Sequence, residues 1–409
     1  MRHFLSRPES LLVLVLPFVA LSIAMPRTTA FGPGVAGLLI LGFALFSGQR
    51  PLFKKDVGLW IVAALLPVLV ALSALWGDDK SFILERSVKL IGIVFPAVLF
   101  ISVLSAQQWT EKSLHNFYKA FYIVFCLSTL FILIENEAGQ PISTYIRSHL
   151  FGAEVTKDVQ YNRSLVILSL LYLPVIVGLQ NLCKGKRQLF HILVATACLV
   201  AALLSTKSQT AQLCFLTAAL FYFASPYIKL KGIPFLSAIA VICMLAAPFA
   251  VMEMYKFLPE NEDDVPALIM EASIPHRLEV WNFAATETMK SPWVGHGVEA
   301  MRNMISEHWM KYPNSNQILH PHNAPMQVWL EFGLFGALVT CVFFVWLTKR
   351  ICALQGQRRR LALSLSVSAL LVLSVGYGLW QSWQIGLLFL LPALTILCTN
   401  QSHETESKS

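Results

Sequence analysis

The pair His322-Asn323 is the part of this chain best placed to do chemistry. Residues up to Pro321 are mixed in character, whereas Ala324 to Leu347 form an apolar run long enough to cross a bilayer. We therefore expect the imidazole near a membrane–water boundary, where a lipid-borne substrate would present its headgroup. Because the unperturbed pKa of histidine is about 6.5, a neutral His322 is suited to accept a proton near neutral pH. His322 is therefore a candidate general base, and the alternative interpretation is a structural cap or a satisfied polar group at the helix start.

Membrane helices are the elements that must position this pair. Of the 409 residues, 56% are hydrophobic and 13% are charged, and the mean hydropathy is +0.63, far more apolar than a soluble protein of average composition. Apolar runs of about 17 to 25 residues are typical of membrane spans. They lie near 11–25, 31–47, 57–76, 88–105, 118–134, 164–180, 188–205, 210–224, 234–252, 324–347, 361–378 and 382–398. The sequence predicts an all-α, polytopic membrane protein with about 12 transmembrane helices.

The distribution of lysine and arginine predicts the orientation. With a cytoplasmic N-terminus, 18 of the 31 basic residues fall in the short inner segments, as the positive-inside rule requires. Both termini are then cytoplasmic, and the net charge of +8 reflects topology and anionic lipids rather than a nucleic-acid partner. The predicted organisation is 1–252 with helices one to nine, 253–323 as a large outer loop, 324–398 with the last three helices, and 399–409 as a cytoplasmic tail.

The outer loop is long enough for a substructure of its own. Ser273 and Pro275 predict a helix that begins at His276-Arg277, and the sequence SPWVGHG at 291–297 should end it. A second helix is expected over 298–311. We expect a helical hairpin over the outer mouth of the bundle, joined by a second outer loop at 135–162.

Two spacing patterns resemble a known family. His322-Asn323, nine residues, and then Gly333-Leu-Phe-Gly336 are similar to the H-N-x9-G-x-x-G signature of the O-antigen ligase and O-antigen polymerase superfamily. Arg277-x3-Trp281 and Pro292-x2-Gly295-x-Gly297 resemble its outer-loop region. The resemblance extends over the whole topology, with a helical periplasmic loop between spans nine and ten.

This resemblance implies a GT-C-like glycosyltransferase of the bacterial inner membrane, with its active site on the periplasmic side. Such enzymes move a glycan from undecaprenyl diphosphate to a hydroxyl group. The acceptor is the lipid A-core in ligases and another glycan in polymerases, and we place ligase ahead of polymerase. A lipid-linked glycan transporter or flippase is the second alternative, but such proteins carry charges or interrupted helices within their spans, and the spans here are almost free of charge.

Cations should bind the diphosphate, whose negative charge grows as the sugar departs. Arginine fits best because its planar fork binds phosphate oxygens in pairs. Arg277 resembles the family's outer-loop arginine, Arg163 lies at the outer start of a span, and Arg86 and Lys89 share one helix face. For these side chains the alternative role is snorkelling at helix ends.

The chain departs from the family at the outer turn between spans seven and eight. Many members carry a Ser-Arg pair there, whereas this chain reads STKSQT at 205–210, with Gln209 in place of the arginine. We expect Lys207 to supply the charge. Asn323 joins the predicted substrate-binding set, and Gly333 and Gly336 are interpreted as positions of close helix packing.

Metal catalysis is not expected. His320-x-His322 lacks the further ligands that a zinc site needs. The eight cysteines include no CxxC pair and are expected to serve packing. The sequence therefore predicts a metal-independent membrane glycosyltransferase without a cofactor. Its expected partners are an undecaprenyl-diphosphate-linked glycan donor, a lipid A-core or glycan acceptor, and membrane lipids.

Overall fold

The chain folds as a bundle of helices. The computed structural model describes residues 15–17, 19–20, 26–47, 56–106, 109–150, 161–206, 208–259, 264–266, 269–270, 273–304 and 320–399. Within these ranges there is no β-strand. The helices of fifteen or more residues are α1 (Gly32–Ser47), α2 (Val57–Leu72), α3 (Lys80–Ala106), α4 (Glu111–Glu137), α5 (Asn162–Leu182), α6 (Gly185–Leu204), α7 (Gln209–Ala224), α8 (Gly232–Tyr255), α9 (Ile274–Thr288), α10 (Ala324–Ala353), α11 (Gly356–Val375) and α12 (Ser382–Cys398).

Every one of these helices except α9 coincides with a predicted span. The first predicted span, near 11–25, lies mostly outside the described residues. Seven of the described helices are long and apolar enough to cross a membrane, namely α2 with its 3-10 extension, α3, α4, α5, α6, α8 and α10; α7 and α12 are shorter apolar helices. The prediction of a polytopic helical membrane protein is confirmed.

Helix α5 lies at the centre of the bundle. In its most apolar stretch 83% of the residues are buried, against 17% in α8 at the periphery. A helix that is apolar on all sides must be enclosed by protein or lipid, and α4, α6, α7 and α12 pack around α5. Since Arg163 follows the first residue of this helix, its side chain starts from the middle of one end of the bundle.

Short connections join most successive helices, which run in opposite directions, whereas longer segments join α4 to α5 and α8 to α10. One end of the bundle, the cavity end, therefore collects the N-termini of α3, α5, α7, α10 and α12. The opposite end carries an ion pair between Arg350 and Asp56 and hydrogen bonds such as Asn181 Nδ2 to the Cys398 carbonyl (2.9 Å). The predicted catalytic and diphosphate-binding residues that the structure describes all lie toward the cavity end.

The segment between α8 and α10 covers part of the cavity end. Helix α9 begins at Ile274, close to the predicted start, and packs on α8 and α10 through a buried cluster that includes Leu278, Val280 and Met326. Of the second predicted helix, over 298–311, the described part contains a single helical turn at Met301–Met304. Residues 305–319 lie outside the described ranges.

Candidate active site

Helix α10 is interrupted at Gly333, which has φ 59° and ψ −152°. The break leaves backbone groups without partners inside the helix, and an unpaired buried backbone group is costly. The segment 292–297, called here the docked segment, supplies those partners. His296 N–H donates to the Leu330 carbonyl (2.8 Å) and Gly297 N–H to the Glu331 carbonyl (2.9 Å). In return, the Leu334 and Phe335 N–H groups donate to the Pro292 and Trp293 carbonyls (2.8 and 3.0 Å).

Glycine is required on both sides of this contact. A Cβ on Gly333 would lie 2.6 Å from the Trp293 carbonyl carbon, and one on Gly295 would lie 2.4 Å from the Glu331 carbonyl carbon. Both glycines also have positive φ, a conformation that other residues adopt only with strain. Gly336 follows in regular helix, facing the Phe332 and Val328 side chains. The two sequence motifs therefore form one backbone unit, and Gly333 is a break in the helix rather than a simple packing position.

His322 and Asn323 begin the N-terminal part of α10. The Asn323 side-chain oxygen accepts from Met326 N–H (3.0 Å) and caps the helix. His322 has a positive φ of 54°, and the preceding Pro321 carbonyl is held by the indole N–H of Trp281 on α9 (2.7 Å). Asn323 therefore has a capping role in this structure, next to the histidine.

The hydrogen bond of His322 defines which ring nitrogen is available. Nδ1 lies 2.9 Å from the Gly376 carbonyl oxygen. Because a carbonyl oxygen only accepts, Nδ1 carries the hydrogen, and in the neutral ring Nε2 keeps a free electron pair. Burial lowers the pKa of His322, and the charges of Arg277, His276 and Arg163 lower it further, against the opposing effect of the Gly376 hydrogen bond. His322 is therefore a neutral base near pH 7.

His320 lies beside it, with the two imidazole centroids 4.3 Å apart. Gln381 orients this second ring. Its amide oxygen accepts from the Trp383 indole (2.6 Å), so its amide nitrogen faces His320 Nε2 (2.8 Å) and donates to it. Burial and the nearby positive charges lower the pKa of His320 to about 3. His320 is thus also neutral, with its hydrogen on Nδ1.

A cavity of about 340 Å³ opens at this end of the bundle. Three arginines line it, Arg86 from α3, Arg163 from α5 and Arg302 from the turn after the docked segment. Further lining residues include His320, Gln327, Trp380, Gln381 and Trp383. Guanidinium groups beside indole rings suit a ligand with negatively charged oxygens and a sugar or lipid surface.

One buried carboxylate lies among these cations. Glu299 forms ion pairs with Arg86 (3.3 Å) and with Arg302, and both guanidinium groups also lie over the Phe82 ring. Arg163 reaches the cavity from the other side and acts electrostatically on His320 and His322. The cavity therefore holds more positive than negative charge.

Arg277 lies on the α9 side of His322. It is half-buried in the first turn of α9, and burial lowers its pKa while Tyr377 opposes that effect. Burial raises the pKa of Tyr377 to about 12, and the charges of Arg163 and Arg277 act in the opposite direction. His322 and Tyr377 are therefore influenced by both arginines, although neither Arg277 nor His322 is among the residues that line the cavity.

The other predicted cations differ in position. Arg86 lines the cavity. Lys89, one turn further along α3, is exposed and forms an ion pair with Glu85, away from the cavity lining. Lys207 lies outside the described residues, so its predicted role stays a prediction.

Sequence reasoning did not identify Arg302, Glu299 or the turn 376–381. Arg302 and Glu299 lie just after the docked segment, and their spacing to the histidines follows no motif. The turn 376–381 lies 54 residues from His322 but supplies its hydrogen-bond partner. A positive φ at Glu299 of 57° marks the turn that brings its carboxylate to the arginines.

The sequence led us to expect no metal site at His320 and His322. In the part of the chain that the structure describes, no group of three or more His, Cys, Asp or Glu side chains is arranged to hold a metal ion.

The comparisons with known proteins concern the same region. Residues 194–341 match a family model described as O-Antigen ligase. This match contains Arg277, the docked segment, His322 and the break at Gly333. It does not extend to Arg86, Arg163 or the turn 376–381.

Curated relatives agree with this family. A protein of Rickettsia felis is 25% identical over 339 residues, which cover 75% of this chain and 79% of the relative. A protein of Rickettsia conorii is 23% identical over 237 residues, covering 55% of this chain and 54% of the relative. Both carry the name "Putative polysaccharide ligase". The family match across residues 194–341 and these relatives support the resemblance of this chain to the O-antigen ligase superfamily.

Proposed function

We propose that this protein is an O-antigen ligase-type glycosyltransferase that moves a glycan from undecaprenyl diphosphate to a hydroxyl of the lipid A-core. One observation carries the proposal: a neutral His322, whose Nε2 is not used by the Gly376 hydrogen bond, lies next to His320, and His320 lines a cavity together with three arginines. A base and a cluster of guanidinium groups are what glycosyl transfer from a lipid diphosphate needs.

The proposed step is a single displacement without a metal ion. The acceptor hydroxyl loses its proton to His322 Nε2 as its oxygen bonds to the anomeric carbon. The bond from that carbon to the diphosphate oxygen breaks, and the electron pair leaves with the lipid diphosphate. Arg163, Arg86 and Arg302 stabilise the growing negative charge, and Arg277 keeps the imidazole neutral. Asn323 would hold the histidine at the helix start.

We also propose the finer topology. The eleven helices other than α9, together with the apolar run near 11–25, make a twelve-span GT-C-like bundle. Residues 1–252 then hold the first nine spans, 253–323 the large outer loop, and 324–398 the last three. In this arrangement the cavity end faces the periplasm, the protein lies in the bacterial inner membrane, and both termini, including the tail 399–409, are cytoplasmic.

The test is complementation of a strain that lacks the gene. His322→Asn keeps an N–H donor near the position of Nδ1 but removes the basic Nε2. We expect transfer to fall by about 100-fold or more, the usual contribution of a general base. His115→Asn is the matched control, because His115 is exposed near the start of α4 at the opposite end of the bundle. Protein abundance in the membrane is measured for both.

The glycans identify the reaction. If the protein is a ligase, the His322→Asn strain accumulates lipid-linked polymer and loses polymer on lipid A. If it is a polymerase, the same strain accumulates single repeat units. Unchanged glycans in the His322→Asn strain contradict the proposed base. A defect in lipid translocation with intact transfer favours the transporter alternative.

A further inference from the structure

Two buried polar side chains, Gln327 and Glu331, lie one turn apart in the N-terminal part of α10. They are 1% and 2% exposed. The Glu331 carboxyl group accepts from Gln327 Nε2 (2.8 Å) at one oxygen and from the Trp380 indole N–H (2.5 Å) at the other. The Gln327 side-chain oxygen accepts from the Leu379 backbone N–H (2.7 Å). The amide thus has its orientation defined at both ends.

Both outside partners, Leu379 and Trp380, belong to the turn 376–381 that connects α11 to α12. The same turn holds both histidines of the site. Its Gly376 carbonyl accepts from His322, and its Gln381 amide donates to His320. Gly378 lies directly against His320, since a Cβ there would come within 1.5 Å of the His320 ring.

Glu331 also joins the turn to the docked segment. Its backbone carbonyl accepts from Gly297 N–H (2.9 Å) and from the Trp76 indole (3.4 Å). One residue therefore contacts the docked segment by its backbone and the turn 376–381 by its side chain. The break at Gly333 frees that carbonyl for the contact.

Stability alone is a weak reason for such a pair. Buried polar networks are costly when a single partner is missing, and apolar residues of similar volume often serve stability as well. A fully satisfied network instead specifies one arrangement of the groups around it. Here the specified group is the turn that orients the histidines.

We infer that Glu331 and Gln327 are positioning residues that hold the turn 376–381 in the conformation that orients His322 and keeps the neighbouring His320 at the cavity. This inference rests on the proposed function. It assigns them no contact with the reacting atoms.

Exchange of the two side chains separates positioning from other roles. In Glu331→Gln, two amides face each other. With the new amide oxygen facing the Trp380 indole, its NH2 group faces Gln327. If Gln327 keeps its orientation, the two NH2 groups face each other; if the Gln327 amide rotates by half a turn, its NH2 group faces the Leu379 N–H instead. One contact is lost in either case. In the double variant Gln327→Glu with Glu331→Gln, the new carboxylate accepts from Leu379 and from the new amide, whose oxygen accepts from Trp380. Every donor again has an acceptor.

We expect purified Glu331→Gln in proteoliposomes to show a kcat for glycan transfer lowered by about tenfold to 100-fold, because small displacements of reacting groups carry costs of this size. At saturating donor the double variant should recover a kcat within about threefold of wild type; because Gln327 lines the cavity, its new carboxylate should raise the KM for the anionic donor. The acceptor KM should change little in either protein.

The pH profile supplies a readout that a general loss of stability would not move. The Gly376 hydrogen bond raises the pKa of His322. Displacement of the turn removes that effect, so the acid limb of kcat/KM should move to lower pH in Glu331→Gln and return in the double variant. A wild-type kcat and pH profile in Glu331→Gln would overturn the inference. The inference would also be overturned by a double variant that has the same thermal unfolding midpoint as wild type but a kcat as low as that of Glu331→Gln.

The proposed function fails separately. If His322→Asn retains transfer, the proposed base is wrong. If His322→Asn loses transfer while Glu331→Gln behaves as wild type, only the positioning role is lost.

Discussion

The break in α10 makes Gly333→Ala an informative perturbation. Gly333 has φ 59° and ψ −152°, a region that is essentially restricted to glycine and costs of order 1–3 kcal/mol for other residues. The added Cβ would also lie 2.6 to 2.7 Å from three backbone atoms of residues 292–294. Backbone atoms have no rotamer by which to avoid the contact, so the docked segment must move.

The expected loss follows from these terms. Moving the docked segment breaks four backbone hydrogen bonds, whose N–H donors are His296, Gly297, Leu334 and Phe335. Each contributes about 1 kcal/mol net to the free energy of unfolding. If all four are lost, these terms and the backbone strain of about 1–3 kcal/mol together lower the free energy of unfolding by about 5–7 kcal/mol. Transfer activity should fall as well, because His322 is carried by the first part of the same helix.

Unfolding by denaturant in mixed micelles measures the change, with Gly92→Ala as the control. Gly92 lies in regular helix on the exposed face of α3, and nothing lies within 4 Å of a Cβ placed there. Alanine at that position should be neutral or stabilising by up to about 1 kcal/mol. If Gly333→Ala unfolds within about 1 kcal/mol of Gly92→Ala, the proposed role of the break is refuted.

Three further outcomes are expected. Arg277→Gln removes a charge that lowers the pKa of His322, so the acid limb of kcat/KM should move to higher pH. Lys290→Gln, at an exposed position, should leave the acid limb in place. If the two variants have the same pH profile, the electrostatic role of Arg277 is contradicted. Because the pKa of His320 is lowered to about 3 in the folded protein, its imidazole binds a proton in the unfolded chain at pH values where it stays neutral in the folded protein. The contribution of His320 to the free energy of unfolding should therefore fall as the pH drops below about 6.5, by at most about 1.4 kcal/mol per pH unit, and an equally steep fall in His320→Gln would be inconsistent with this. Asn323→Ala should destabilise by about 1 kcal/mol through loss of the helix cap, whereas Asn323→Asp should retain stability in the same denaturant titration.

The geometry links the two motifs through the protein backbone. The docked segment and the break at Gly333 exchange hydrogen bonds in both directions. Glu331 then connects this unit to the turn 376–381 through its side chain. The histidines are thus held by contacts from three parts of the chain, which supports a rigid base rather than a mobile one.

The apolar runs predicted every long helix that the structure describes except α9. A chain that crosses a bilayer must satisfy its backbone groups within each segment, so length and hydropathy are sufficient to predict a helix. The same local logic identified His322 and Asn323 at a helix start and Ser273 and Pro275 before α9. These signals depend on neighbours in sequence, and the structure places helices close to the predicted positions.

The shape of the site depended on tertiary contacts. Arg86 and Lys89 share a helix face, yet Arg86 meets Glu299 across the cavity while Lys89 pairs with Glu85 in its own helix. Arg302 reaches the cavity only because the docked segment turns there. Such placements depend on contacts between residues far apart in sequence, and no periodicity or spacing records them. The sequence by itself therefore determined the helices and the candidate base, His322. Tertiary packing decided which charged side chains act on this base and which backbone carbonyl it binds.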